Sequence, residues 1–193
     1  TSNLPSALVY IHGFLSSPKS FKAQQFEAYL ARKRPEIRYI IPSFSNLPSE
    51  ARQSLDAEIS ELKKQYKVGL VGSSLGGFYA SYLAETFDLK AAVVNPAVQP
   101  YDVADRYPDI IENPYTHQRF RADEQFIADL KAMERQPTPS RYLLLSQTED
   151  ETLDYRKGVK WYEGCEQIVE QGGDHAFQGF ERYLTKIIQF LDL

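Results

Sequence analysis

A serine within a glycine-rich stretch is the first feature of this sequence that could do chemistry. Residues 72–76, GSSLG, match the pattern G-x-S-x-G in one frame only, and that frame places Ser74 at the centre. An apolar run precedes the stretch and a helical pattern follows it, so the chain must turn sharply, and glycines leave room beside the serine. Such a turn presents the hydroxyl for nucleophilic attack and directs the backbone N–H of Leu75 toward the same point. The alternative interpretation is an ordinary glycine-rich turn before a helix.

A nucleophilic serine needs a base, and the chain has three histidines. His175, in QGGDHAFQGF, follows the last predicted strand, so its loop should lie at the same sheet edge as Ser74, where open α/β sheets bind ligands. We therefore predict that His175 is the base. His12, in YIHGF, is expected to shape its loop by hydrogen bonding, and His117 is expected at the surface. The backbone N–H of Phe14, in the same turn as His12, is the expected second oxyanion donor.

The third member of such a site would be a carboxylate after the penultimate strand. The stretch SQTEDETLD offers four acidic residues there, of which Asp150 is close enough to the strand end to be held by it. Asp154 begins the helical pattern DYRKGVKWY, where an aspartate is favoured as an N-cap. We predict Asp150 as the acid and keep Asp154 as the reserve. The resulting chain order of serine, aspartate and histidine is the order of α/β-hydrolases.

Short apolar runs alternate with longer amphipathic ones along the chain, which predicts a mostly parallel sheet with helices on both faces. The runs are nearly continuous, as expected of strands buried on both faces. About six strands are predicted, at 7–14, 37–42, 68–74, 91–96, 141–147 and 166–173. The amphipathic runs predict helices at 19–33, 48–66, 75–87 and 179–193.

One interval departs from this alternation. Residues 97–139, between the fourth and fifth strands, are too many for a single crossover, and we interpret them as a small lid. The composition, 42% hydrophobic and 25% charged over 193 residues, predicts one α/β domain spanning 1–193.

Composition and motifs argue against several classes of function. The net charge is −4 and no basic stripe is present, so we do not expect a nucleic-acid partner. No apolar stretch is long enough to span a bilayer, and the amino terminus as given has no secretory pattern. The single cysteine, Cys165, fits a reducing compartment and a small buried apolar role, so we expect a cytoplasmic location. No phosphate-binding or dinucleotide-binding loop and no metal-ligand spacing occurs, so no cofactor and no metal are expected. The oligomeric state stays open.

Together these segments resemble the α/β-hydrolase superfamily, and within it the small bacterial YqiA-like esterases. The similar segments are YIHGFLSSPKS, VGSSLGGFYA, VVNPAVQPY, ENPYTHQ, LDYRKGV and GGDHAFQGFERY, which extend over essentially the whole chain. The resemblance implies a compact hydrolase fold with a reduced lid and a triad of Ser74, Asp150 and His175. The sequence departs from the family pattern at Glu149, which stands where a glycine is expected immediately before the acid.

The resulting prediction is a serine esterase that acts on a small-molecule acyl ester through an acyl-enzyme. An acyl-CoA thioesterase would use the same residues, and a binding protein on a hydrolase scaffold that has lost catalysis is a further alternative. Four aromatic residues either line an apolar acyl pocket or belong to the core: Phe14, Phe44, Tyr115 and Phe120.

Overall fold

A parallel β-sheet forms the centre of the protein. The computed structural model describes residues 3–193, so residues 1 and 2 of the predicted domain lie outside the described part. Within it, the main sheet has six strands in the order β2-β1-β3-β4-β7-β8, and every neighbouring pair is parallel. The strands are β1 (Ser6–Ile11), β2 (Arg38–Ile40), β3 (Lys67–Ser73), β4 (Lys90–Val94), β7 (Tyr142–Gln147) and β8 (Glu166–Glu170). The predicted sheet is confirmed.

Helices cover both faces of this sheet, as predicted. The α-helices are α1 (Phe21–Lys33), α2 (Pro48–Lys63), α3 (Leu75–Phe87), α4 (Glu124–Met133), α5 (Tyr155–Trp161) and α6 (Leu184–Phe190). The apolar side chains of α2, α3 and α4 pack in one core, and those of α1 and α6 pack in a second core. The two cores lie on opposite faces because successive side chains of a strand point in opposite directions.

Strand β1 illustrates how the sequence fills both cores. Val9 and Ile11 lie in the first core, whereas Leu8 and Tyr10 lie in the second, and all four are fully buried. Burying an aliphatic side chain of this size contributes roughly 1.5–3 kcal/mol, so both faces stabilise the sheet. The edge strands β2 and β8 are only partly buried, which differs from the prediction of strands buried on both faces.

The last strand and the last helix are both shorter than predicted, and glycines explain the end of the strand. Strand β8 ends at Glu170 because Gly172 and Gly173 have φ values of 95° and 70°, which turn the chain out of the ladder. The last α-helix begins at Leu184, after a 3₁₀ turn at Phe180–Tyr183, and not at residue 179. The loop 171–179 is thereby free to leave the sheet.

The predicted interval 97–139 contains more structure than the sequence indicated. A 3₁₀ helix (Pro100–Arg106) leads to an antiparallel hairpin of β5 (Ile111–Glu112) and β6 (Arg119–Phe120), and α4 follows. The hairpin is held to the loop after β2, because Asn113 Nδ2 donates to Asn46 Oδ1 at 3.1 Å. Gln118 Oε1 also accepts from the side-chain and backbone N–H groups of Asn46, at 2.8 and 2.9 Å.

Candidate active site

Ser74 lies at the sharp turn between β3 and α3. Its φ of 58° and ψ of −122° place it in a strained region for a residue with a side chain. The flanking glycines are required by close contacts: a Cβ on Gly72 would lie 2.2 Å from the carbonyl oxygen of Gly76, and one on Gly76 would lie 2.0 Å from that of Ile11. Both contacts are with backbone atoms, which cannot move aside. The sequence pattern therefore reflects the packing of this turn.

The structure brings Ser74, His175 and Asp150 together at the carboxyl edge of the sheet. Ser74 Oγ lies 3.1 Å from His175 Nε2, and His175 Nδ1 lies 2.9 and 3.0 Å from the two carboxylate oxygens of Asp150. The Asp150 side chain is 2% exposed, whereas that of His175 is 24% exposed. A hydroxyl, an imidazole and a buried carboxylate thus form one hydrogen-bonded line, the arrangement that activates a serine nucleophile.

Asp150 contacts the histidine, and Asp154 does not. The loop after β7 curls around the Asp150 carboxylate, whose Oδ1 accepts the backbone N–H groups of Thr152 and Leu153, both at 2.9 Å. Asp154 is the N-cap of α5, where its Oδ1 accepts the backbone N–H of Arg156 at 3.0 Å. The hydrogen bond from the Arg156 guanidinium lowers the pKa of Asp154. Asp154 therefore has the capping position that was considered for it.

Leu75 and Phe14, whose backbone N–H groups are the expected oxyanion donors, both lie close to Ser74. Leu75 is the first residue of α3, so its N–H lies among the unpaired donors of a helix amino terminus. A Cβ on Gly13 would lie 3.2 Å from Ser74 Cβ, which shows how closely the turn after β1 approaches the serine. Phe14 follows directly and lines the same cavity as Ser74 and Leu75. The role of these two N–H groups stays a prediction.

A cavity of about 340 Å³ opens beside Ser74 and has mainly apolar walls. Most of its lining comes from the interval 97–139, with polar groups supplied by Arg106, Glu151 and Thr152. Apolar wall residues include Phe14, Pro100, Val103, Tyr107, Phe126 and Leu130. Concave sites of this size and polarity bind small molecules.

The four candidate pocket aromatics have different positions. Phe14 lines the cavity, and Phe120 is buried behind it with ring centroids 5.9 Å apart. The Phe44 ring stacks on the His12 ring with the ring centroids 4.5 Å apart, and Phe44 packs against the first core. Tyr115 is 62% exposed, so both the pocket and the core interpretations are wrong for this residue.

The remaining histidines lie where the sequence indicated, whereas the cysteine is only partly buried and not buried as expected. His12 is buried, its Nδ1 is 3.0 Å from the carbonyl oxygen of Gly13, and burial lowers its pKa. His117 has a side chain that is 76% exposed. Cys165 is partly buried against the first core, and this burial raises the pKa of its thiol to about 11.

Two charged residues near His175 were not predicted. Glu151 Oε2 accepts the backbone N–H of His175 at 2.9 Å, and Lys22 Nζ donates to the carbonyl oxygen of Ala176 at 2.9 Å. Burial lowers the pKa of Lys22, while the negative charge of Asp174 opposes the shift. Glu151 was visible in the acidic cluster of the sequence. Lys22 lies in the first helix, and no sequence signal connects it to the site.

Residues 3–193 contain no candidate metal centre and no candidate membrane-spanning helix. No group of three or more histidine, cysteine, aspartate or glutamate side chains in this part of the chain is arranged to hold a metal ion. None of the helices described combines the length and the apolar character needed to cross a membrane.

The topology and the edge at which these side chains meet define an α/β-hydrolase fold. Solved structures agree: Est1E from Butyrivibrio proteoclasticus superposes with a TM-score of 0.73 at 14% identity, covering 97% of this chain and 87% of that one. Mouse alpha/beta hydrolase domain-containing protein 10 has a TM-score of 0.72 at 17% identity, covering 100% of this chain and 96% of that one. At these identities the likeness establishes the fold.

The chain belongs to the uncharacterised protein family UPF0227, whose model matches residues 7–192. A curated relative, the UPF0227 protein YcfP of Salmonella gallinarum, is 23% identical over 192 residues, which cover 96% of this chain and 99% of the relative. The resemblance noted in the sequence is thereby confirmed at the level of the family and the fold.

Proposed function

We propose that this protein is a serine hydrolase that cleaves carboxylic esters. The observation that carries the proposal is the hydrogen-bonded line from Ser74 Oγ through the imidazole of His175 to the buried carboxylate of Asp150. The strained backbone of Ser74 adds support, because strain is retained where surrounding structure holds a reactive group in place. The fold is one on which this chemistry is common, and structural neighbours include esterases.

In the proposed reaction, Ser74 Oγ attacks the acyl carbonyl carbon while His175 Nε2 takes the hydroxyl proton. Asp150 holds the imidazole in the tautomer that leaves Nε2 free to accept, and it stabilises the imidazolium that forms. The N–H groups of Phe14 and Leu75 donate to the tetrahedral oxyanion. The imidazolium returns its proton to the leaving alcohol, and water, activated by His175, then hydrolyses the acyl-enzyme.

The cavity beside Ser74 gives the proposal a substrate class. Its apolar walls suit the acyl part of a small ester, and the interval 97–139 would act as a small lid over that group. A thioester would use the same catalytic residues, so turnover of matched esters and acyl-CoA thioesters must be compared. The single cysteine continues to favour a reducing, cytoplasmic location.

The test is covalent labelling with a fluorophosphonate, combined with hydrolysis of p-nitrophenyl butyrate. Ser74→Ala should lose labelling, and its turnover should fall by about 10⁴-fold or more with the fold retained. Ser73→Ala is the matched control, because Ser73 is adjacent and buried but lies in β3. A folded Ser74→Ala protein with wild-type turnover would refute the proposal. Absence of labelling in the wild type would favour the inactive binding scaffold.

A further inference from the structure

Asn95 occupies a central position among the loops that carry the proposed catalytic residues. It directly follows β4, which lies in the sheet between β3 and β7, the strands that lead to Ser74 and Asp150. Its φ is 41°, in the left-handed region that asparagine tolerates better than most residues, and the residue is 3% exposed. A buried amide at such a position must find hydrogen-bond partners.

The Asn95 side chain finds its partners in two other loops. Its Nδ2 donates to the carbonyl oxygens of Asp174 and His175, both at 3.0 Å. Its Oδ1 accepts the backbone N–H of Gln147, the last residue of β7, at 3.0 Å. The side-chain amide of Asn95 therefore links the end of β7, the strand that leads to Asp150, to the backbone of His175.

The backbone around Asn95 makes a third connection, to Ser74. The Ser74 N–H donates to the carbonyl oxygen of Val94 at 3.1 Å, and the Ala97 N–H donates to the carbonyl oxygen of Ser74 at 2.9 Å. The Asn95 N–H itself donates to Leu145 in β7, at 2.8 Å. Segment 94–97 thus hydrogen-bonds to both the N–H and the carbonyl oxygen of the proposed nucleophile, while the Asn95 side chain contacts the backbone of His175.

Gln147 holds the loop 171–179, the histidine loop, through a second set of hydrogen bonds that involve other backbone groups of the loop. Its Oε1 accepts the backbone N–H groups of Asp174 and Gln178, at 3.1 and 2.8 Å. Its Nε2 donates to the carbonyl oxygen of Gln178 at 2.8 Å. These contacts fix the two sides of the loop, whereas Asn95 Nδ2 contacts the carbonyl group of His175 itself.

We propose that Asn95 is a positioning residue, whose two amide N–H donors hold His175 within hydrogen-bonding distance of both Ser74 and Asp150. The inference rests on the proposed function, since it concerns the same three residues. The donors hold the carbonyl groups of the two peptide groups that flank the His175 Cα, which restrains the backbone from which the imidazole extends. A displacement of about 1 Å at a reacting centre can cost about 10²-fold in rate, so loss of the donors should appear in the chemical step.

Two substitutions separate the donors from the backbone requirement. Asn95→Asp keeps the size, the tolerance of positive φ and the acceptor for Gln147, but it replaces both N–H donors with oxygen. Asn95→Gly removes the whole side chain and adopts the φ of 41° without strain. The control is Ser81→Ala in α3. It removes another buried hydrogen bond, the one of 3.0 Å between the Ser81 and Tyr162 hydroxyls, which lies away from the site.

The experiment measures the rate of single-turnover acylation by p-nitrophenyl butyrate and the thermal unfolding of each variant. Each rate is divided by the concentration of active sites, which is counted by titration with fluorophosphonate. Both Asn95 variants should lower the maximal acylation rate by about 10²-fold, with the half-saturating ester concentration unchanged. Ser81→Ala should lower the unfolding temperature but acylate at the wild-type rate. If either Asn95 variant acylates at the wild-type rate per active site, the inference is overturned. A wild type that neither labels nor acylates would instead overturn the proposed function.

Discussion

Asp150→Asn is the substitution whose outcome follows most directly from the geometry. Oδ1 of Asp150 accepts two backbone N–H groups, from Thr152 and Leu153, so in the variant this position must be taken by the amide oxygen. The amide nitrogen then occupies the place of Oδ2, which is 2.9 Å from His175 Nδ1. An NH₂ group there can only donate, so it favours an Nδ1 that accepts and an imidazole proton on Nε2, although the amide oxygen at the Oδ1 position stays 3.0 Å from Nδ1. In that tautomer His175 cannot take the proton of Ser74.

The expected loss is large in rate and small in stability. Asparagine at the acid of a serine triad lowers kcat by about 10⁴-fold through the wrong tautomer, which corresponds to about 5.5 kcal/mol of transition-state stabilisation. The folded variant keeps both backbone hydrogen bonds to Oδ1 and forms a new neutral one to His175. We therefore expect an unfolding temperature close to that of the wild type.

Asp154 supplies the matched comparison, since it follows the same strand and has a carboxylate with a different partner. Asp154→Asn should acylate at nearly the wild-type rate, because asparagine also caps helices. Asp154→Ala should lose about 0.5–2 kcal/mol of stability through the lost cap, and keep its acylation rate. Single-turnover acylation and thermal unfolding of the three variants provide the measurements. If Asp150→Asn acylates within a few-fold of the wild type, the tautomer argument and the assignment of the acid are both wrong.

Three further predictions concern the cavity and the stability of the fold. Leu130 lines the cavity with Ser74, so Leu130→Trp should reduce hydrolysis of octanoyl esters more than of acetyl esters, and equal losses would contradict an acyl-binding role. An added Cβ on Gly158 in α5 would meet its nearest neighbour at 3.9 Å, so Gly158→Ala should raise the unfolding free energy in urea by about 0.5–1 kcal/mol. The Arg182 guanidinium lowers the pKa of Glu170 from 4.5 to about 2, so Glu170 should stabilise the fold above pH 4.5 and lose that contribution as the pH falls toward 2. Glu170→Gln should flatten the pH dependence of the unfolding free energy over that range, and an unchanged slope would count against the assignment.

Much of the fold follows from the sequence because its determinants are local. Continuous apolar runs such as that of β3 require burial on both faces, and amphipathic runs such as that of α2 cover them. Strand boundaries were less predictable, because glycine populates both signs of φ and the sequence does not show that Gly172 and Gly173 take the positive one. The hairpin β5–β6 was missed, since strands of two residues have no detectable period.

The positions of Ser74 and His175 were also predictable, for a geometric reason. Parallel strands place their carboxyl ends at one edge of the sheet, so the residues that follow β3 and β8 lie at the same edge, although β4 and β7 separate the two strands. Residue type then supports the proposed chemistry, because a serine hydroxyl is activated as a nucleophile by an adjacent imidazole. The sequence by itself therefore determined the fold class and the sheet edge, and it pointed to the three side chains that meet there, with Asp154 kept as the reserve for one of them.

Tertiary structure decided the rest, because the deciding contacts join residues that are distant along the chain or depend on how a loop curls. Asp150 and Asp154 are of one type and near in sequence; the strand end and the helix start favour Asp150, but only the turn that closes on its carboxylate directs it to His175. The hydrogen bonds of Asn95 to the histidine loop span 79 and 80 residues. Such contacts form only after the sheet has brought its loops together, since hydrophobic patterning specifies which faces are buried but not which polar groups meet at an edge.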